Sequence, residues 1–165
     1  MSGKWPWPRW TEYAMPSTVC CVTGRMWAAG AQDKKRGVRR AAELNDVQKL
    51  RALLGASPEL TEAIVDDFAR MRPLHCACRG GAVDTVDLLL DLGADCRARN
   101  EEGYTPFILA CKYGRAAVVK LLLARGFDPS IREGGAGTGL IWAAPQDGDG
   151  KADHVAVIRM LLEDG

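Results

Sequence analysis

The stretch RPLHCA at Arg72–Ala77 returns as TPFILA at Thr105–Ala110, 33 residues further along the chain. The leucine-rich run that ends in Gly93-Ala94-Asp95 returns at the same distance and ends in Gly126-Phe127-Asp128. A fixed period of this size is typical of repeat proteins, in which short supersecondary units stack on their neighbours. The spacing therefore predicts at least two equivalent units in the middle of the chain.

Each copy predicts a pair of short helices. Pro73 and Pro106 suit the first position of a helix, where the missing N–H would have no partner in any case. Gly93 and Gly126 suit the end of the second helix, because glycine adopts the left-handed conformation at little cost. One face of the second helix is apolar in both copies, and its residues are Val86, Leu89, Leu90, Val119, Leu122 and Leu123.

These residues closely resemble the ankyrin repeat. Its T-P-L-H opening is matched by Arg72–His75 and Thr105–Ile108, and its G-A-D ending is matched by Gly93–Asp95. The resemblance covers about residues 36–165 and implies an all-α solenoid of about four stacked helix-turn-helix units with projecting β-turn fingers. It also implies that His75 hydrogen-bonds neighbouring backbone, and that the domain binds other proteins.

The predicted units lie at about 36–71, 72–104, 105–137 and 138–165. The first unit has Asn45-Asp46 in place of a glycine turn, and Leu54 precedes Leu90 by 36 residues, three more than the period. The fourth unit has Gly139 in place of the proline, which should loosen the start of its helix. It also contains an insertion around 145–152, which we predict to be a surface loop.

Residues 1–35 fit no unit of the repeat. Trp5–Trp10 alternates tryptophan with proline, which blocks a helix, and we predict an unstructured tail here. The alternative is a short motif that presents its tryptophans to a partner groove or a membrane interface. The basic cluster Lys34–Arg40 is interpreted either as a solvated helix start or as a nuclear-import signal.

Composition narrows the class of protein. The 165 residues include 22 basic and 21 acidic side chains, so the net charge of +1 gives no support to bulk attraction for nucleic acid or membrane surfaces. No apolar run approaches the length of a membrane span. Cysteines in the predicted inner helices indicate small buried side chains in a reducing compartment. We therefore expect a cytoplasmic protein, with the nucleus as the alternative.

The sequence offers no catalytic, cofactor-binding or metal-binding set of residues. His75, Cys76 and Cys78 lack a second ligand pair for zinc, and Asp147–Asp153 lacks the later ligands of a calcium loop. The glycine-rich segment 134–139 lacks the lysine of a phosphate-binding loop. We therefore predict that the chain is not an enzyme and needs no cofactor.

The resemblance also predicts where a partner protein binds, namely at the finger tips and on the concave row of inner helices. The candidate contact residues are Phe68, Met71, Arg79, Arg99, Glu101, Glu102, Tyr104, Lys112 and Tyr113. Tyr104 and Tyr113 are the strongest candidates, because aromatic anchors dominate the energy of many interfaces. Two alternatives remain open: an ankyrin segment or isoform of a larger regulatory protein (an adaptor, channel or kinase), and a nuclear regulator.

The predicted last helix keeps an apolar sequence from Val155 to Leu162 and has few polar residues to solvate it. A terminal repeat normally presents a polar outer face. We therefore expect further ankyrin repeats, or a partner protein, to cover this helix.

Overall fold

The computed structural model describes residues 19–128, 138–144 and 153–163, with side chains from Gly30 onward. Contacts divide the chain into two compact units, 1–33 and 34–165. In the first unit, the described residues are helical from Val19 onward. The second unit contains the repeats.

Apart from one isolated β-bridge, the regular secondary structure of the described residues is helical. The α-helices are α1 (Val19–Glu43), α2 (Val47–Ala56), α3 (Pro73–Gly80), α4 (Val83–Asp91), α5 (Pro106–Lys112), α6 (Ala116–Ala124), α7 (Gly139–Trp142) and α8 (His154–Glu163). The inner helices α3, α5 and α7 pack on one another in chain order, and so do the outer helices α2, α4, α6 and α8. The predicted all-α stack of helix pairs is confirmed.

The repeated prolines and glycines occupy the places that the period predicts. Pro73 and Pro106 begin α3 and α5. Gly93 and Gly126 follow α4 and α6 with φ angles of 81° and 83°, in the left-handed region. The predicted apolar rows point inward, since Val86, Leu89, Val119 and Leu122 are all buried. Stacking of neighbouring units, rather than one helix pair alone, therefore forms the core.

His75 joins the start of α3 to the loop that follows α4. Its Nδ1 accepts a hydrogen bond from the backbone N–H of Arg72 at 3.4 Å, so Nε2 carries the proton and donates to the carbonyl oxygen of Ala98 at 3.0 Å. The predicted backbone role of this histidine is confirmed. Burial lowers the pKa of His75 and keeps the ring neutral near pH 7.

The next repeat uses the other half of the same motif. Ile108 replaces the histidine, and the hydroxyl of Thr105 accepts a hydrogen bond from the N–H of Ile108 at 3.4 Å. Thr105 therefore caps α5 directly. The second repeat has Arg72 at that position and relies on the histidine, so each of the two repeats retains one of the two polar groups.

Asn45 replaces a turn glycine in the first repeat. Its φ angle of 58° lies in the left-handed region, which asparagine tolerates better than most residues. Its side-chain amide donates to Asp84 at 2.8 Å and accepts from the backbone N–H of Thr85 at 3.0 Å. The asparagine therefore ties the turn before α2 to the first turn of α4 in the next repeat.

The extra residues of the first repeat form a short 3₁₀ helix, Pro58–Thr61, after α2. Its Leu60 is buried against the core. The three residues in excess of the period are therefore accommodated directly after α2.

Helix α1 begins earlier than the sequence suggested. The predicted unstructured tail over residues 1–35 is wrong for 19–35, because α1 already begins at Val19. The proline-rich part of the tail ends at Pro16, and no further proline occurs before Pro58, so nothing in the covalent chain blocks a helix between them. The tryptophan–proline motif Trp5–Trp10 lies outside the described residues.

The fourth repeat is described in two parts, α7 and α8. The predicted insertion at 145–152 and the glycines at 134–137 lie outside the described residues. The N–H of Asp153 donates to the carbonyl oxygen of Gly114 at 3.1 Å, which fixes the start of α8 against the turn of the third repeat. Gly139 begins α7 and is buried against the third repeat.

Candidate partner-binding surface

The finger between the second and third repeats is a tight turn closed by Asn100 and Tyr104. The N–H of Asn100 donates to the carbonyl oxygen of Tyr104 at 3.0 Å, and the N–H of Tyr104 donates to Oδ1 of Asn100 at 2.8 Å. Gly103 has a φ angle of 79°, which lets the chain reverse. The turn leaves Arg99, Glu101 and Glu102, three of the predicted contact residues, exposed to solvent.

The preceding finger lies beside this one. Asp66 and Met71 pair across it as a single antiparallel bridge, and the carbonyl oxygen of Ala69 accepts from the N–H of Glu101 at 3.1 Å. Phe68 stands at the tip of this finger with 95% of its surface exposed. The hydrogen bond between the two fingers therefore keeps the aromatic tip and the acidic tip next to each other.

Met71 is the candidate contact residue that the structure contradicts. Only 3% of its surface is exposed, and its sulfur accepts from Nη1 of Arg79 at 3.7 Å. The bridge with Asp66 turns this side chain toward the hydrophobic core rather than toward solvent. The prediction that Met71 contacts a partner is therefore wrong, and the residue stabilises the base of the finger.

Arg79, another predicted contact residue, already has partners inside the protein. Its guanidinium donates to Glu43 at the end of α1, and Glu43 also pairs with Arg39 at 3.4 Å. Arg39 in turn lies 3.5 Å from a carboxylate oxygen of Asp66. These four side chains form an ion-pair network between the first two repeats, so the charge of Arg79 is compensated internally.

An aromatic cluster lies where the third and fourth repeats meet. The rings of Tyr104 and Trp142 pack edge to face, with centroids 4.9 Å apart and planes at 73°. The ammonium nitrogen of Lys112 lies 4.4 Å from the centroid of the Tyr104 ring and 5.4 Å from that of Trp142. Both distances are within the range of a cation–π interaction. All three side chains are partly exposed, so the Tyr104–Lys112–Trp142 cluster is open to solvent.

The sequence identified two members of this cluster and missed the third. Trp142 occupies the register of Leu109 and Cys76 in the preceding repeats, and both of those residues are buried. The period alone therefore assigns Trp142 to the core. Tyr113, the other predicted anchor, follows Lys112 as the C-cap of α5 and is 38% exposed.

The buried thiols have no evident chemical role. Burial raises the pKa of Cys76 and Cys111 to about 12 and raises that of Cys78 further, so the sulfurs stay protonated. Within the described residues, no three His, Cys, Asp or Glu side chains are placed to hold a metal ion. Likewise, none of the described helices combines the length and the apolar character that a membrane crossing requires.

A family model for ankyrin repeats, in three copies, matches residues 38–133. This chain is an ankyrin-repeat protein. The match covers more than half of the sequence and includes the end of α1 and the helices α2 to α6 described above. The predicted resemblance to the ankyrin-repeat family is therefore confirmed.

Several longer proteins contain a segment that is similar in sequence to this chain. The ankyrin-repeat chain is 35% identical over 149 residues to the probable E3 ubiquitin-protein ligase XBOS33 of Oryza sativa subsp. japonica, a match that covers 90% of this chain and 25% of that protein. It is 38% identical over 86 residues to the E3 ubiquitin-protein ligase XB3 of the same organism, covering 52% of this chain and 19% of the relative.

A third relative has a different named activity. The chain is 44% identical over 62 residues to the ADP-ribosylation factor GTPase-activating protein AGD2 of Arabidopsis thaliana, covering 38% of this chain and 8% of that protein. In all three comparisons the ankyrin-repeat chain spans a quarter or less of the relative's length.

Proposed function

We propose that this ankyrin-repeat chain is a non-catalytic module that binds a partner protein through its finger tips and the ends of its inner helices. The Tyr104–Lys112–Trp142 cluster is the observation that carries the proposal. It places two large, partly exposed aromatic rings beside an exposed acidic finger. Aromatic anchors with accessible faces supply much of the binding energy at protein interfaces.

Two further aromatic side chains extend the same surface. Phe68 stands free at the tip of the neighbouring finger, and Tyr113 follows Lys112 at the end of α5. Both fingers are closed by backbone hydrogen bonds, so their tips are held in place before a partner arrives. Preorganised side chains lose less conformational freedom on binding, which raises affinity.

The relatives support binding rather than catalysis as the role of this segment. Ubiquitin ligases and a GTPase-activating protein are named for different reactions, yet each contains a segment similar to this chain. Ankyrin repeats are what these proteins share with the chain, and folds of this kind contribute surfaces rather than reactive groups.

We propose second that the ankyrin repeats act as the partner-recognition segment of a larger regulatory protein, of which a ubiquitin ligase is one example. The fourth repeat supports this proposal, because it leaves apolar side chains exposed on both α7 and α8. Ile108 is 2% exposed, whereas Ile141, its equivalent 33 residues later, is 59% exposed. Val155 and Leu162 on α8 are also exposed. A further helix pair of the same kind would bury this face.

Capture of binding proteins tests the first proposal. The immobilised chain should retain one or more proteins from a cell extract, to be identified by mass spectrometry. A Tyr104→Ala, Tyr113→Ala double variant should lose them while its helical circular dichroism stays unchanged. Lys120→Ala serves as the control, because Lys120 is an exposed residue of the outer helix α6. Equal capture by the double variant and the control would rule out this surface.

A further inference from the structure

The ammonium group of Lys112 is held in place, yet the described part of the protein gives it no counter-charge. We infer that Lys112 binds an acidic side chain of the partner protein, an inference that rests on the binding function proposed above. The occupant of the surface would therefore be a segment with an aspartate or glutamate placed opposite the Tyr104–Lys112–Trp142 cluster.

The aromatic rings position the ammonium group of Lys112 but offer no oxygen acceptors for its hydrogen-bond donors. Lys112 is the last residue of α5, so its backbone is fixed by the helix, and its ammonium lies over two rings that are nearly perpendicular to each other. The rings attract the cation through their quadrupoles. An ammonium group has three hydrogen-bond donors, and a carboxylate offers the oxygen acceptors that ring faces lack.

Two cations of the preceding repeat are paired within the protein. Arg79 pairs with Glu43, and Arg72 pairs with Glu62 and lies 3.9 Å from Asp95. Within residues 30–128, 138–144 and 153–163, no ion pair involves Lys112. Lys112, in contrast, is positioned by the two rings and uncompensated in the described structure.

Holding the lysine in advance makes such a pair stronger than an ordinary surface salt bridge. A free lysine must give up much of its rotamer freedom to pair, which cancels most of the gain. Lys112 is already constrained by Tyr104 and Trp142. A partner that covers the two rings would also exclude water, and the charge interaction strengthens as the local dielectric constant falls.

The acidic finger tip restricts the partner further. Glu101 and Glu102 are exposed next to the cluster in sequence, and they would repel a uniformly acidic segment. We therefore expect one carboxylate opposite Lys112, with neutral or basic residues near the finger. The opposite arrangement, in which the rings accept a cation of the partner, requires displacement of Lys112 and is disfavoured by repulsion between the two positive charges.

Selection from a random peptide library tests the inference. The full chain should enrich peptides that carry Asp or Glu at one fixed position and bind it with measurable affinity. Lys112→Met keeps the unbranched stem but removes the charge, and should weaken binding of those peptides about tenfold. Lys112→Glu should instead select Lys or Arg at that position. Lys120→Met on α6 is the matched control and should leave binding unchanged.

The outcomes separate the inference from the proposed function. Enrichment of Lys or Arg by the unmodified chain, with tighter binding by Lys112→Met, would show that the rings accept a cation and would overturn the inference. Peptides that bind without any charge preference would overturn it as well. In either case peptide binding that is lost in the Tyr104→Ala, Tyr113→Ala variant would still support the proposed function. Failure to enrich any peptide beyond that variant would count against both.

Discussion

Gly139 lies directly against the ring of Phe107: a Cβ atom at Gly139 would be 2.7 Å from Cε1 of that ring. Phe107 occupies the register of Leu74 in the second repeat, so the third repeat has a larger side chain at this position. Its ring also stacks on Phe127, with centroids 4.6 Å apart. Gly139, which replaces the proline of the repeat, therefore leaves space for the ring of Phe107, which replaces a leucine.

This contact predicts that Gly139→Ala destabilises the protein. The added methyl group overlaps a rigid ring, and overpacking of this kind costs about 1–3 kcal/mol. The cost should become smaller in a Phe107→Leu background, where the contact with Sγ of Cys111 at 3.2 Å remains, as a double-mutant cycle in urea unfolding would show. Gly55→Ala is the control, because no atom outside its own helix lies within 4 Å of the added group. An equal cost in both backgrounds would contradict the proposed contact.

The inner face of α4 predicts a second result. Leu89 is fully buried between helix pairs, so Leu89→Ala should lower the free energy of unfolding by about 2–5 kcal/mol. A loss of that size is a large part of a typical total stability of about 5–15 kcal/mol. Leu92→Ala, three residues later and 50% exposed, should cost much less. Urea titration measures the free energy of unfolding of both variants. Equal losses would contradict the assignment of Leu89 to the core.

Asn45 predicts an ordered series of stabilities. Asn45→Ala loses the hydrogen bonds to Asp84 and Thr85 and also strains a backbone with a φ angle of 58°. Asn45→Gly loses the same hydrogen bonds but relieves the strain. The alanine variant should therefore be less stable than the glycine variant, by about 1 kcal/mol, and both should be less stable than the unmodified chain. Thermal unfolding measures the order, and a reversed order would exclude the strained turn.

His75 predicts a dependence of stability on pH. Burial lowers its pKa in the folded state below the ordinary value of 6.5. The nearby charge of Arg72 also lowers the pKa and that of Glu62 raises it, both by smaller amounts. The unfolded chain therefore binds more protons between the two pKa values, and the free energy of unfolding rises with pH in that interval. The contribution of His75 is fully present above about pH 6.5 and is lost as the pH falls toward the folded-state pKa.

Unfolding by urea between pH 7.5 and pH 5.5 should therefore show a decline in stability at the acidic end. In His75→Gln the decline should be smaller, because the amide can still donate a hydrogen bond but does not titrate. Parallel pH profiles for the two proteins would contradict the buried, neutral state of His75.

The period of the sequence predicted the structural features that depend on the chemistry of single residues. Prolines at helix starts, glycines after the outer helices and the backbone role of His75 all follow from the properties of single residues at fixed spacing. The stack and its inward leucine rows follow as well, since one helix pair cannot bury its own apolar face. These features needed no knowledge of which side chains meet across repeats.

Contacts between unlike residues of neighbouring repeats could not be predicted in this way. Trp142 has a core register but packs on Tyr104 at the surface, and Met71 has a finger register but is buried. Both outcomes depend on neighbours more than 30 residues away or on a cross-finger bridge, and neither is encoded in the period. The early start of α1 was missed because its sequence belongs to no repeat.

The binding surface itself can be examined with the captured partner protein. Isothermal titration calorimetry of that partner against the unmodified chain, the Tyr104→Ala, Tyr113→Ala variant and Lys120→Ala compares anchors with a control. We expect the Kd to rise at least about tenfold for the double variant, since truncating interface anchors typically costs more than 1 kcal/mol each. The Kd of Lys120→Ala should not change. A Kd that is unaltered in the double variant, with the fold intact, would show that the partner binds elsewhere on the repeats.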